Sequence, residues 1–120
     1  MTGPILTVVD DLIFLSKIQQ TAHQVGVPVE AVDPSKVLER IPEFLVRSVI
    51  LDLNHRSGAA IELARAIKAN PATHHVQLMG FLSHVQTDLA EAARVAGCDF
   101  VLARSTFSQQ LPQLLLQLAG

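Results

Sequence analysis

The chain has 120 residues, which fits one domain of ordinary size and leaves no room for a second. Hydrophobic residues make up 49% and charged residues 17%, which excludes a disordered chain; with 4% aromatics and neither Trp nor Tyr, the core has to be built from Leu, Val, Ile and Ala. The net charge is -2 with no basic run, which argues against a nucleic-acid surface, and the single cysteine, Cys98, rules out an internal disulfide and suits a reducing compartment.

The opening stretch MTGPILTVVDDL has no basic segment before its apolar part and meets acids at once, so it is not read as a signal peptide. Ile5 to Val9, short and rich in β-branched residues, reads as a buried strand. Leu12 to Val25 sets Leu12, Leu15, Ile18, Ala22 and Val25 at helical spacing, and Gly26 stops it. Val27 to Val32 is a second strand, and Pro34 and Ser35 open a short helix that ends near Pro42. Leu45 to Leu53 is a third strand. Gly58 opens a helix through Ile61, Leu63, Ala64, Ala66 and Ile67, closed by Asn70 and Pro71.

Val76 to Leu82 is a fourth strand, followed by a helix from Val85 to Ala96 that Gly97 ends; Ser83 is read as its cap. Phe100 to Ala103 is a fifth strand and Phe107 to Leu118 a last helix. That helix carries Leu111, Leu114, Leu115, Leu116 and Leu118, more than one buried stripe requires, so part of it is expected to meet a partner or a second copy. No apolar run approaches the roughly 18 residues needed to span a bilayer, so no membrane partner is expected and the expected location is cytoplasmic. Five strands alternating with five helices imply a parallel sheet covered on both faces, a doubly wound α/β domain over residues 1–120.

Ligands of such sheets sit beyond the carboxyl ends of the strands. The first strand ends in Asp10 and Asp11, the third in Asp52, Leu53 and Asn54, the fourth in Leu82, Ser83 and His84, and the fifth in Arg104 and Ser105. Three converging carboxylates repel one another unless a cation sits between them, and a hard oxygen-seeking ion such as Mg2+ suits that role. A carboxylate left free of the metal can then attack a phosphoryl donor. The same acids are also ordinary helix caps, and spacing alone leaves both readings open.

Over essentially its whole length the sequence resembles a response-regulator receiver domain, of the CheY-like kind. The resemblance rests on ILTVVDD at the first strand, VILDLN at the third, KANPATHHV before the fourth and AGCDFVLAR around the fifth; GFLSHVQTDL resembles a subgroup of receiver-like bacterial proteins. It implies a flavodoxin-like sheet of order 2-1-3-4-5. It puts Asp52 on the phosphoacceptor, which also faces the metal, Asp10 and Asp11 on the Mg2+-binding acids, and the backbone carbonyl of Asn54 on the third protein ligand.

The departures from the family pattern point to an atypical, pseudo-receiver variant. Leu82 falls on the switch Thr or Ser, Val101 on the switch aromatic, Arg104 on the lysine, and Ser105 on the proline that follows it. The loop from Leu53 to Gly58 is about two residues short and lacks its proline. Leu82 has no hydroxyl to bond a phosphoryl oxygen. Arg104 keeps the charge but replaces a compact ammonium with a planar fork, which can pair with Asp52 and mimic a neutralised state.

His55 and His84 lie on loops able to meet above the sheet, where Zn2+ with Asp52 or Asp10 is a minor reading unsupported by any ligand spacing. His23, His74 and His75 read as surface residues, and Cys98 as a small buried group. The leading expectation is a two-component or phosphorelay signalling module that is no enzyme beyond self-phosphorylation at Asp52. It would bind Mg2+ weakly or not at all and work through a protein partner, a histidine kinase or an output domain, or as a homodimer through the last two helices. The alternatives are a conventional phospho-accepting receiver at Asp52, a small Mg2+-dependent phosphoryl-transfer enzyme, and a structural domain in which the acids only cap helices.

Overall fold

The structure, a computed structural model, describes residues 3–83 and 86–120. Among them are five strands, β1 (Ile5–Val8), β2 (Val29–Ala31), β3 (Ser48–Asp52), β4 (Gln77–Leu82) and β5 (Phe100–Ala103). The α-helices of these residues are α1 (Leu12–Val25), α2 (Val37–Glu43), α3 (Ala60–Ala69), α4 (Thr87–Ala96), α5 (Arg104–Gln109) and α6 (Leu111–Ala119), and a 3-10 turn over Pro34–Lys36 leads into α2. Every strand pair is parallel and the order is β2-β1-β3-β4-β5, the doubly wound arrangement expected from the alternation.

The period-2 alternation of each strand divides the core into two layers. Val49 and Leu51 of β3 and Leu78 of β4 join Val37, Ile41, Leu63, Ile67 and Ala93 of α2, α3 and α4 on one face. Ile50, Met79 and Phe81 face the other way, against Phe14 and Ile18 of α1, Phe107 of α5 and Leu111 and Leu115 of α6.

Three local expectations need correction. The last helix is two, so the α-helices of the described residues number six and not five. α5 starts at Arg104, directly after β5, and the chain breaks at Gln110. Pro112 is the cause: it has no N–H to give, and its ring excludes the carbonyl of Ser108. Four of the five leucines of this region lie inside the domain's own core, packed with residues of the sheet and α1, leaving Leu116 exposed at 53%. In α1 the buried stripe is Phe14, Ile18 and Ala22, while Leu12 is 76% exposed. Asp11 caps this helix and sets its phase, and Leu12 then lies roughly 200° around the axis from Phe14.

Two smaller differences concern ends. α2 continues through Pro42 to Glu43, because in the last turn the missing N–H removes a single bond. Leu45 then turns the chain toward β3 with a φ of 55°. Ser83 does not cap α4, which begins at Thr87 without a side-chain cap; Val85 and His84 lie outside the described residues. Among the described residues no helix is long and apolar enough to cross a membrane.

Candidate functional site

The strand order reverses direction at β1, and β1 and β3 lie side by side in register, Val8 beside Leu51. Their carboxyl ends therefore deliver Asp10, Asp11 and Asp52 to the same edge of the sheet. Leu82 closes β4 beside them, and Arg104 follows β5 at once, on the first turn of α5.

Asp52 is almost fully buried, at 2% exposure. Its Oδ1 accepts the Asn54 N–H at 2.9 Å. Burial pushes its carboxyl above the ordinary carboxylate range, and the Asp10 charge pushes the same way; the Asn54 N–H and the Arg104 charge offset part of this. Asp11 serves two purposes with two oxygens. Oδ1 accepts the N–H groups of Ile13 and Phe14, both at 3.1 Å, and so caps α1. Oδ2 accepts from Arg104 Nη1 at 3.1 Å. The Phe14 N–H first, and Arg104 after it, hold Asp11 below the usual range.

Arg104 bridges the two acids, with Nη2 3.8 Å from Asp52 Oδ2. Its guanidinium lies 4.5 Å above the Phe14 ring centroid and 5.5 Å from that of Phe81. Phe81 in turn stacks on Phe107 at 4.8 Å, so three rings form a floor beneath the cation. This floor was not foreseen, although a signal was present: each Phe stands within three residues of Asp11, Leu82 or Arg104.

Asp10 turns to a different arginine, also unforeseen. Its Oδ2 accepts both the backbone N–H and Nε of Arg56, each at 3.0 Å. The Arg56 backbone N–H is the main reason its carboxyl sits below the usual range. Asn54 contributes its backbone N–H to Asp52, while its side chain takes the Ser83 N–H at 3.1 Å and donates to Gln86. Leu82 is buried at 4% within the α2–α4 layer and offers no polar atom. The small Val101 leaves a cleft of about 220 Å³ between α4 and β5, floored by Leu82, Ala90, Val101 and Ala103.

Among the described residues no group of three or more His, Cys, Asp or Glu side chains is arranged to hold a metal ion. His55 Nδ1 accepts the Ser57 N–H at 3.2 Å, and His84 lies outside the described residues. The donor set as arranged also does not suit a resident Mg2+: Asp10 Oδ2, both oxygens of Asp11 and Asp52 Oδ1 carry N–H donors, and Asp52 Oδ2 faces Arg104. Cys98 is buried, which together with Asp99 pushes its thiol up to about 11 and disfavours the nucleophilic thiolate.

No family model and no curated protein matches the chain. Its fold matches solved structures closely. A candidate response regulator from Chloroflexus aurantiacus is 18% identical with a TM-score of 0.85, covering 99% of this chain and 98% of that one. A response regulator from Hahella chejuensis is 19% identical with a TM-score of 0.84, covering 98% and 95%. NtrX from Brucella abortus is 19% identical with a TM-score of 0.80; 99% of this chain matches 27% of that longer one. At these identities the likeness is one of fold: the chain has the flavodoxin-like α/β fold of response-regulator structures.

Proposed function

We propose that the chain is a receiver-like signal-transduction module of a two-component or phosphorelay system, an atypical one whose phospho-switch is impaired and which acts through protein–protein contact. The observation that carries this reading is Arg104, bridging Asp11 at 3.1 Å and Asp52 at 3.8 Å where an incoming phosphoryl group would need both room and a mobile cation.

In a phospho-switch, charge added at one carboxylate draws a hydroxyl and a flexible cation inward. Here the cation is already committed to two carboxylates and fixed on aromatic rings. The neighbouring strand end supplies Leu82, which cannot bond a phosphoryl oxygen. The β4–α4 connection is instead tied to the β3–α3 loop by the Asn54 side chain, without any phosphate. The module then presents one constant surface to its partner, a histidine kinase or an output domain. The similarity to part of the longer NtrX chain supports a module that can sit beside other domains. No turnover of substrate is part of this reading, and Mg2+ is at most a weak ligand.

The test is incubation with acetyl phosphate and Mg2+ followed by intact-mass analysis. Little or no phosphoryl adduct is expected on wild type. A second reading, a conventional phosphoacceptor, draws on the delivery of Asp10, Asp11 and Asp52 to one edge of the sheet. Stoichiometric adduct on wild type that disappears in Asp52→Asn would replace the first reading with the second.

A further inference from the structure

We propose that Arg56 and Arg104 are the resident counter-ions of the acidic cluster, so that the chain neutralises Asp10, Asp11 and Asp52 with its own side chains and takes up divalent cations only weakly. The inference supplies a physical cause for the weak Mg2+ binding that the signalling reading includes, and it is argued from the geometry of the carboxylates alone.

The argument is an accounting of carboxylate oxygens. Asp10 Oδ2 receives two N–H groups from Arg56. Asp11 Oδ1 receives two from α1, and Oδ2 receives Arg104. Asp52 Oδ1 receives Asn54, and Oδ2 faces Arg104. Of the six oxygens of these three acids, Asp10 Oδ1 and Asp52 Oδ2 have no hydrogen-bond donor among the described residues, and Asp52 Oδ2 faces Arg104 Nη2 at 3.8 Å, whereas a divalent ion needs several free oxygens converging on one point. The electrostatics agree. Two guanidiniums stand among three carboxylates, so most of the negative potential that would draw in a divalent ion is already cancelled.

The two arginines differ in how firmly they are held. Arg104 lies on the Phe14 and Phe81 rings and is the fixed counter-ion. Arg56 is on a short loop and its side chain is 86% exposed, so it is the exchangeable one. That loop is nonetheless well placed. The His55 N–H bonds the Asp52 carbonyl at 3.0 Å, and the Gly58 N–H bonds the His55 carbonyl at 3.0 Å. Gly58 adopts a φ of 72°, which a residue with a side chain would resist. The loop thus brings the Arg56 backbone N–H onto Asp10 even without the guanidinium, and an entering cation has to displace both groups and then face Arg104.

The experiment is titration of the full chain with Mn2+ alone, followed by paramagnetic broadening of the amide signals of Asp11 and Asn54. Wild type is compared with Arg56→Gln and with Arg56→Gln/Arg104→Gln. Because Arg56 is a surface residue, Arg56→Gln retains the fold and carries the test even if the double variant unfolds. Half-saturation is expected at millimolar Mn2+ or above for wild type, several-fold lower in Arg56→Gln, and about tenfold lower or more in the double variant, the order that removing one or two like charges from a partly exposed site produces. Sub-millimolar binding to wild type, or Arg56→Gln binding no tighter than wild type, overturns the proposal. The two experiments separate the readings: tight Mn2+ binding with no acetyl phosphate adduct overturns this inference and leaves the impaired phospho-switch standing, whereas weak binding with stoichiometric adduct does the reverse.

Discussion

Replacing Arg104 by Ala removes the cation from beside a buried carboxylate and from above two aromatic rings. The side chain is 38% exposed, so its interactions are partly screened. Breaking a fully buried ion pair costs about 3–5 kcal/mol; with one partner half in water and a separation of 3.8 Å, about 1–2 kcal/mol is the appropriate scale for Asp52. Loss of the contacts with Phe14 and Phe81 adds about 0.5–1 kcal/mol. The expected destabilisation at neutral pH is therefore about 2 kcal/mol. It should also depend on pH with a definite sign. Burial raises the carboxyl of Asp52 in the folded chain, so on acidification the folded state takes up this proton before the unfolded state does. Once Asp52 is neutral, Arg104 no longer compensates a buried charge, and the difference between variant and wild type shrinks. Urea unfolding followed by far-UV circular dichroism is the suitable assay, because the chain has no Trp or Tyr for fluorescence. A loss below about 0.5 kcal/mol at neutral pH would refute the reasoning by making Arg104 an ordinary solvated side chain, and a loss of equal size on both sides of the Asp52 transition would refute it by showing that Arg104 does not compensate the Asp52 charge.

Further outcomes are open to the same assay. Leu45 holds a φ of 55° and is exposed, so Leu45→Gly should stabilise the fold by about 0.5–1 kcal/mol, the left-handed penalty exceeding the added freedom of the unfolded chain; a lower midpoint would contradict this. Lys68 Nζ bonds the Val76 carbonyl at 2.6 Å and Asp99 Oδ2 at 3.1 Å, tying α3 to the turns before β4 and β5; Lys68→Met should cost about 1–2 kcal/mol, and no change would show those acceptors satisfied by water. Leu82 is 4% exposed in the α2–α4 layer, so Leu82→Ala should cost about 2–4 kcal/mol, read as a shift in urea midpoint at constant slope; a loss under about 1 kcal/mol would place that side chain at the surface.

The architecture was legible because its signals are local. Short β-branched runs alternate with amphipathic segments, Gly26 and Gly97 end two helices in left-handed conformations, and parallel strands require crossovers. What the pattern could not set was decided by one residue or by distant ones. Pro112 splits an otherwise continuous helical repeat. Capping by Asp11 turns Phe14 inward and Leu12 outward, although both are apolar. In the site, the strand ends announced Asp10, Asp11, Asp52, Leu82 and Arg104, because the carboxyl edge of a doubly wound sheet is where such residues meet. The arginine that reaches Asp10 comes from 46 positions away, and Arg104 reaches Asp11 across 93. No periodicity encodes such pairings, nor the ring floor beneath Arg104. They arise from which loops the folded sheet sets side by side.

Carbon-13 NMR titration of the Asp52 carboxyl, in wild type and in Arg104→Ala, observes the bridged pair without any partner or phosphodonor. With the guanidinium beside Asp52, the midpoint in wild type lies above the ordinary carboxylate range because of burial, and it climbs further once the offsetting charge is removed. A midpoint in the ordinary range, or one that stays put when Arg104 is replaced in a folded chain, would show that the arginine does not neutralise this acid.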